Sequence, residues 1–251
     1  MPGYSSTRGA SRRSEGEELS KRQERAHRIL DAAAELIQRW GYKKTAVDDI
    51  ARLAGVAKGT IYLHWKTRED LFIALLLRES VETIKAMTER IDSDPGGVYL
   101  SGVVKHAIYV IMSRPLARAL FVQDVSVLGE LLQQGRADLG SLTQQKLLMG
   151  QQLLEFFRSK GALRTDQSLQ QQLKMYATMV IGTMTIDQYL PPELQSSPEE
   201  ATELLAAMVH ATLEAPEPVS PDVQRELRQA WDMFTRHFLS ILEERLQAEI
   251  A

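Results

Sequence analysis

The 251-residue chain contains no cysteine. That absence excludes a disulfide framework, a thiolate metal site, a cysteine nucleophile and a thiol redox sensor, and it fits a reducing compartment. Long hydrophobic runs are missing too. The longest stretch free of Asp, Glu, Lys and Arg is the 12 residues Met175–Ile186, against the roughly 20 apolar residues that span a membrane. The first 20 residues carry Arg and Glu without an apolar segment, so no signal peptide is legible and the expected location is the cytoplasm. Glycine (15) and proline (9) are too scarce, and apolar residues at 44% too plentiful, for a collagen-like or wholly disordered chain. No sustained two-residue alternation and no Asn-Gly or Asp-Gly turn marks a hairpin. The enzyme signatures are absent as well. There is no Gly-rich phosphate loop, no His-Glu-x-x-His pair and no Gly-x-Ser-x-Gly elbow, and the five histidines never stand four residues apart. The expectation is therefore no enzyme, no metal and no cofactor, in one or two domains long enough to bury a sizeable core.

What is present is helical periodicity and a division of charge. The formal net charge of −3 hides two unlike parts. Residues 1–90 hold 17 Lys+Arg and 13 Asp+Glu, a net of +4; residues 91–251 hold 13 and 20, a net of −7. Such asymmetry hints at a phosphate-facing part, although +4 over 90 residues is also ordinary scatter. Residues 1–19, rich in Ser, Gly, Arg and Glu, read as a disordered arm with little to bury. From Ser20 a helix is expected, with Ile29, Ala33, Leu36, Ile37 and Trp40 on one face and Gly41 as its C-cap. Trp40 and Tyr42 read as core. Thr45 and Asp48 have capping-box spacing and open a second short helix that stops at Gly55. A third short helix covers the residues up to Trp65. Thr67 and Asp70 repeat the capping spacing and start a long helix that ends at the Asp92–Gly97 breaker. Further helices are expected near 97–112, 115–133, 138–160, 167–190, 198–213 and 221–249.

Two short helices joined by a tight glycine-containing turn make a helix-turn-helix candidate. Such a motif needs small residues and short donors where its second helix meets the duplex. Ala57-Lys58-Gly59-Thr60 supplies them: Gly59 keeps a side chain out of the way, Lys58 brings charge and Thr60 a hydroxyl, with Tyr62, His64 and Lys66 as further donors. Phosphate contacts set position and base-edge contacts specify sequence. The adjacent Asp48 and Asp49 need no catalytic explanation, because a helix N-terminus favours carboxylates.

Residues 25–71 resemble the DNA-binding domain of the TetR family of bacterial transcription regulators. The likeness runs through Arg28-Ile29-Leu30, Gly41-Tyr42, Thr45, Ile50-Ala51, Gly55-Val56, Lys58-Gly59-Thr60-Ile61-Tyr62, His64-Trp65 and Leu71. It implies an all-α fold, with an N-terminal three-helix helix-turn-helix domain joined by a long helix to a larger helical ligand-binding and dimerisation domain. With the boundary inside the long helix, the domains are 20–78 and 79–251, the latter with an extra C-terminal helix at 221–249. The resemblance also implies roles. Thr45 would cap the second helix and touch phosphate, Ala57, Lys58, Gly59 and Thr60 would lie at the groove, Tyr62 and His64 would meet the DNA backbone, and Lys66 or Arg68 would add phosphate charge. Ala57 departs from the hydroxyl residue common there, and Leu63 carries no expected DNA role.

For the second half the resemblance implies an effector pocket and a homodimer. His106, Tyr109, Phe121, Met149, Phe156, Tyr176 and Met179 are the candidate effector contacts, a mix suited to an apolar or aromatic small molecule. Each also reads as ordinary core. The helices at 167–190 and 198–213, with Ala177, Gly182 and Ala206-Ala207, are the expected dimer helices, and the last helix reads as an extension that covers the bundle or swaps across the dimer. The expected partners are thus palindromic double-stranded operator DNA, a small-molecule effector and a second copy, with no membrane. The competing reading is a dimeric DNA-binding regulator without an effector, governed by a protein partner or by its own abundance.

Overall fold

A computed structural model of the chain describes residues 7–122, 124, 128, 148 and 150–250, with 7–19 described through their backbone alone. The described residues form helices α1 (Thr7–Lys44), α2 (Val47–Ala54), α3 (Lys58–His64), α4 (Arg68–Ser93), α5 (Leu100–Ser113) and α6 (Pro115–Val122). These are followed by α7 (150–159), α8 (Leu169–Thr185), α9 (Pro198–Leu213) and α10 (Pro221–Ile250). Two short 3-10 turns, Ile186–Tyr189 and Pro192–Leu194, link α8 to α9. The fold is all-α, an N-terminal helix-turn-helix followed by a larger helical part. No helix of the described residues is long and apolar enough to cross a membrane.

Helix starts follow sequence chemistry. Thr67, Ser168 and Ser197 each cap through their hydroxyl, and Asp70, Gln171 and Glu200 return the bond, completing three capping boxes. Pro198 sits at the first position of α9, where no N–H is needed. Two expectations about the N-terminal part fail. The stretch read as an arm is already helical from Thr7. Glu17 and Glu18 stand four residues before Lys21 and Arg22, the orientation that supports a helix, and extending an existing helix avoids the cost of nucleation. Trp40 is 47% exposed. Gly41, at φ 74°, breaks the helix directly after it, so Tyr42 rather than Trp40 enters the core, its ring edge-on to Phe72 at 4.8 Å.

Two apolar cores result. The first joins α1, α2, Ile61, Trp65 and the first half of α4 to Leu116 and Ala119 of α6 and to Phe238, Leu242, Leu246 and Ile250 of α10. The second holds Ile91 of α4, much of α5, Leu154 and Phe157 of α7, Val180, Leu205, Val209, and Leu227 and Trp231 of α10. Both α4 and α10 therefore belong to both cores. Helix α10 runs back along α4: Arg228 pairs with Asp92 at 3.1 Å near its start, Glu243 with Lys85 at 2.9 Å further on, and the Gln23 amide donates to Gln247 Oε1 at 3.3 Å. The last helix packs against the C-terminal part through Leu227 and Trp231 and ends inside the N-terminal core. The parts of the expected helices 115–133 and 138–160 that run from 129 to 147 lie outside the described residues.

Candidate nucleic-acid interface

The helix-turn-helix corner is built on one left-handed residue. Gly55, at φ 66° and ψ 38°, ends α2. Its N–H donates to Arg52 O at 3.3 Å and that of Val56 to Ala51 O at 3.0 Å, which satisfies the carbonyls left open by the helix end. A side chain at that φ would be strained. Ile61 and Trp65, both about 1% exposed, anchor α3 to the first core. The opposite face of α3 is turned outward: Ala57, Lys58, Gly59, Tyr62, Leu63 and Lys66 are exposed and Thr60 is half-buried.

Gly59 has no reason inside the chain to be glycine. Its φ is not positive, and a Cβ built on it meets nothing within 4 Å. It is the second residue of α3, and glycine in a helix is costly in backbone entropy, so nothing inside the fold calls for it. Lys58 Nζ lies 2.8 Å from Asp48 Oδ2, and that carboxylate raises the lysine pKa. The pair is exposed and exchangeable. Lys66 carries no hydrogen bond or ion pair among the described residues.

Two expected DNA contacts, Thr45 and Arg68, are engaged inside the chain, and His64 is half-buried at the end of α3. Thr45 is 1% exposed; its hydroxyl donates to Gly41 O at 2.9 Å, and α2 begins instead after Ala46, without a side-chain cap. Thr45 therefore closes the Gly41 break rather than capping α2. Arg68 lies 3.9 Å over the Tyr42 ring, its Nε donating to Thr45 O at 3.2 Å and its Nη2 to Tyr42 O. It ties the corner after α1 to the start of α4. His64 is half-buried against Trp65, ring centroids 5.3 Å apart, and its Nδ1 is buried without a partner.

Burial first, then the charges of Arg22 and Arg25, holds His64 below the ordinary histidine range. The folded chain thus binds this proton less readily than the unfolded chain. Acidification through the ordinary range loads the unfolded state first, so stability present at neutral pH is lost as pH falls. His64→Gln is expected to flatten that loss, compared by urea unfolding at about pH 7 and about pH 5.5, either side of the ordinary value near 6.5.

Sequence reasoning missed several exposed groups on this side. Leu63 is 74% and Leu53 46% exposed. Arg22 of α1 donates to Leu63 O at 3.4 Å and so marks the end of α3. Lys43 and Lys44 are exposed at the corner before α2. Only a contact between segments 41 residues apart identifies Arg22, and no local spacing reveals it.

In the C-terminal part a cavity of about 240 Å³ opens between α4, α5, α6, α7, α8 and α10. Phe121 and Tyr176 line it, as expected; burial raises the Tyr176 pKa. His106 does not. It is 6% exposed and its Nε2 lies 2.7 Å from Asp94 Oδ2, fixing the breaker loop and holding the Asp94 carboxyl below its ordinary value. Tyr109 lies under the Arg90 guanidinium at 3.9 Å. Phe156 lies beside Lys160, and Met179 accepts from Thr212 between α8 and α9. None of these three lines the cavity, and Met149 lies outside the described residues. The lining missed from sequence is Trp231, Phe234, Thr235 and Phe238 of α10, with Ser80, Thr83 and Ile84 of α4. No cluster of three or more His, Asp or Glu placed to hold a metal ion occurs among the described residues.

The corner at Gly55, the anchored α3 and its outward polar face define a helix-turn-helix of the DNA-binding class. Residues 29–75 match the family model for bacterial regulatory proteins of the tetR family. The chain is 46% identical over 63 residues to the fatty acid metabolism regulator protein of Bacillus subtilis, a match covering 25% of this chain and 32% of that one. The chain thus spans about a third of that relative's length. Among solved structures, SmeT with triclosan superposes with a TM-score of 0.57 at 20% identity, over 78% of this chain and 99% of SmeT. FadR of Bacillus subtilis with stearoyl-CoA gives 0.55 at 21%, over 73% and 96%.

Proposed function

We propose that the chain is a dimeric DNA-binding transcription regulator, a repressor released from a palindromic operator by a small, mainly apolar effector. The observation that carries the DNA-binding reading is the exposed face of α3. It combines a glycine that the fold does not require with a lysine held by an exchangeable surface carboxylate. The effector reading is supported by the cavity between α4 and α10, and it accords with two structural neighbours solved with triclosan and with stearoyl-CoA, the latter bearing a long apolar acyl chain. That cavity favours it over a regulator with no effector. A thermal-shift panel of metabolites and drugs tests the choice, since a ligand of the native state raises the melting temperature by mass action.

The lysine and arginine assignments separate in one experiment. Lys66→Ala is expected to weaken DNA binding on all sequences and to reduce the slope of log K against log salt by about 0.9, one phosphate's worth. Arg68→Ala is expected to leave that slope unchanged and to lower stability by about 1–3 kcal/mol, through the carbonyls it leaves unpaired. Measured slopes and melts that assign both residues the same behaviour would refute the division.

The dimer is expected through α8 and α9. Ala177, Ile181, Leu204, Ala207 and Ala211 are exposed at helical spacing, an apolar stripe suited to a two-fold related copy. Ile181→Glu with Leu204→Glu should yield monomers in sedimentation analysis, with helix content retained; a dimer unaffected by both would place the interface elsewhere.

A further inference from the structure

Helix α10 touches the cavity and the DNA-binding domain with one stripe of residues. Trp231, Phe234, Thr235 and Phe238 line the cavity. Leu242, Leu246 and Ile250 continue the same three- and four-residue spacing into the core that contains Ala26, Ile29 and Leu30 of α1. The distance from Phe238 to Ile250 along the helix is about 18 Å. No loop intervenes, and a close-packed interior leaves the far end little room to ignore a shift at the near end.

The polar groups of the cavity define what it accepts. Trp231 Nε1 and Thr83 Oγ1 are buried without a hydrogen-bond partner, and their residues are only 9% and 6% exposed. Buried donors left unmade are costly and rare. Glu79 is the one charged residue lining the cavity among the described residues, and both its oxygens are taken by Arg114, at 2.7 and 3.1 Å. Among the described residues a carboxylate would find no free cation there, and an ammonium would have to compete with Arg114.

We propose that α10 both reads the ligand and reports it. Trp231, Phe234 and Phe238 wall a site for a neutral, largely apolar molecule with a hydrogen-bond acceptor for Trp231 and Thr83. The last three turns of the same helix carry its occupancy into α1. The proposal rests on the effector reading above and adds the ligand class and the route.

The test uses the full chain and two probes of similar shape, 2-acetylnaphthalene and 2-ethylnaphthalene, one with a carbonyl acceptor and one without. Calorimetric titration is expected to show the ketone binding about tenfold tighter, and Trp231→Phe with Thr83→Val to bring the two to near parity. Hydrogen exchange with the ketone bound is expected to change in 242–250 and 22–37 as well as around the cavity. Equal affinity of the wild type for both probes overturns the acceptor. Ketone binding with exchange changes confined to 79–121 and 150–176 overturns the route through α10. Binding of neither probe overturns the apolar effector reading itself, and the proposal with it. The wild-type comparisons decide the matter even if the double variant fails to fold.

Discussion

Replacing Gly59 with leucine is expected to leave the fold at least as stable and to weaken DNA binding about 5- to 150-fold. The two halves of this expectation have separate causes. In the free chain a Cβ at position 59 meets nothing within 4 Å and the backbone has no positive φ. Leucine therefore relieves part of the glycine penalty, at most about 0.5–1 kcal/mol, and its Cβ enters open space. On the duplex, the same side chain fills the space through which α3 approaches. Overpacking of a fitted surface costs about 1–3 kcal/mol, which converts to the stated range. Melting curves and fluorescence anisotropy on a selected duplex measure both. A variant that is less stable and binds as well as the wild type would show that Gly59 serves the fold.

Ending the chain at Leu239 is expected to unfold the N-terminal domain, although that domain is more than 150 residues away in sequence. The deletion removes Leu242, Leu246 and Ile250, which are 0%, 6% and 1% exposed within the core that α1 and α4 share. Truncating such a side chain to alanine costs about 2–5 kcal/mol, so losing three rivals the whole stability of a domain, about 5–15 kcal/mol. Circular dichroism should show loss of cooperative melting, with rapid proteolysis between α1 and α4. An unchanged melting temperature would contradict the packing of α10 into this core.

The contrast between these positions shows what was legible before any coordinates. The helix-turn-helix was readable because its determinants are local. Gly41 and Gly55 terminate helices, Thr67 with Asp70 opens one, and Ile50, Ile61 and Leu71 recur at core spacing. The start of α9 at Pro198 was readable for the same reason. What escaped depends on partners distant in sequence. Thr45 and Arg68 both looked like surface donors, yet each is drawn to the carbonyls around the Gly41 break. His106 looked like a ligand contact until Asp94, twelve residues away, claimed it. The apolar stripe of α10 was visible, but nothing in its periodicity says that one helix spans two cores. The cavity wall was missed because it comes from that helix.

The charge division acquires a structural counterpart. The net positive part includes the exposed Lys43, Lys44, Lys58 and Lys66, around the outward face of α3. The net negative part contains the proposed dimer face and supplies most of the cavity wall, the rest coming from α4. In the proposed regulator a dimer presents two copies of α3 to DNA. Selection of binding sites from a pool of random duplexes tests it most directly. The expected result is enrichment of two inverted half-sites, their centres one or more helical turns apart, and loss of that enrichment with Gly59→Leu. No enriched sequence, or enrichment that Gly59→Leu leaves intact, would contradict it.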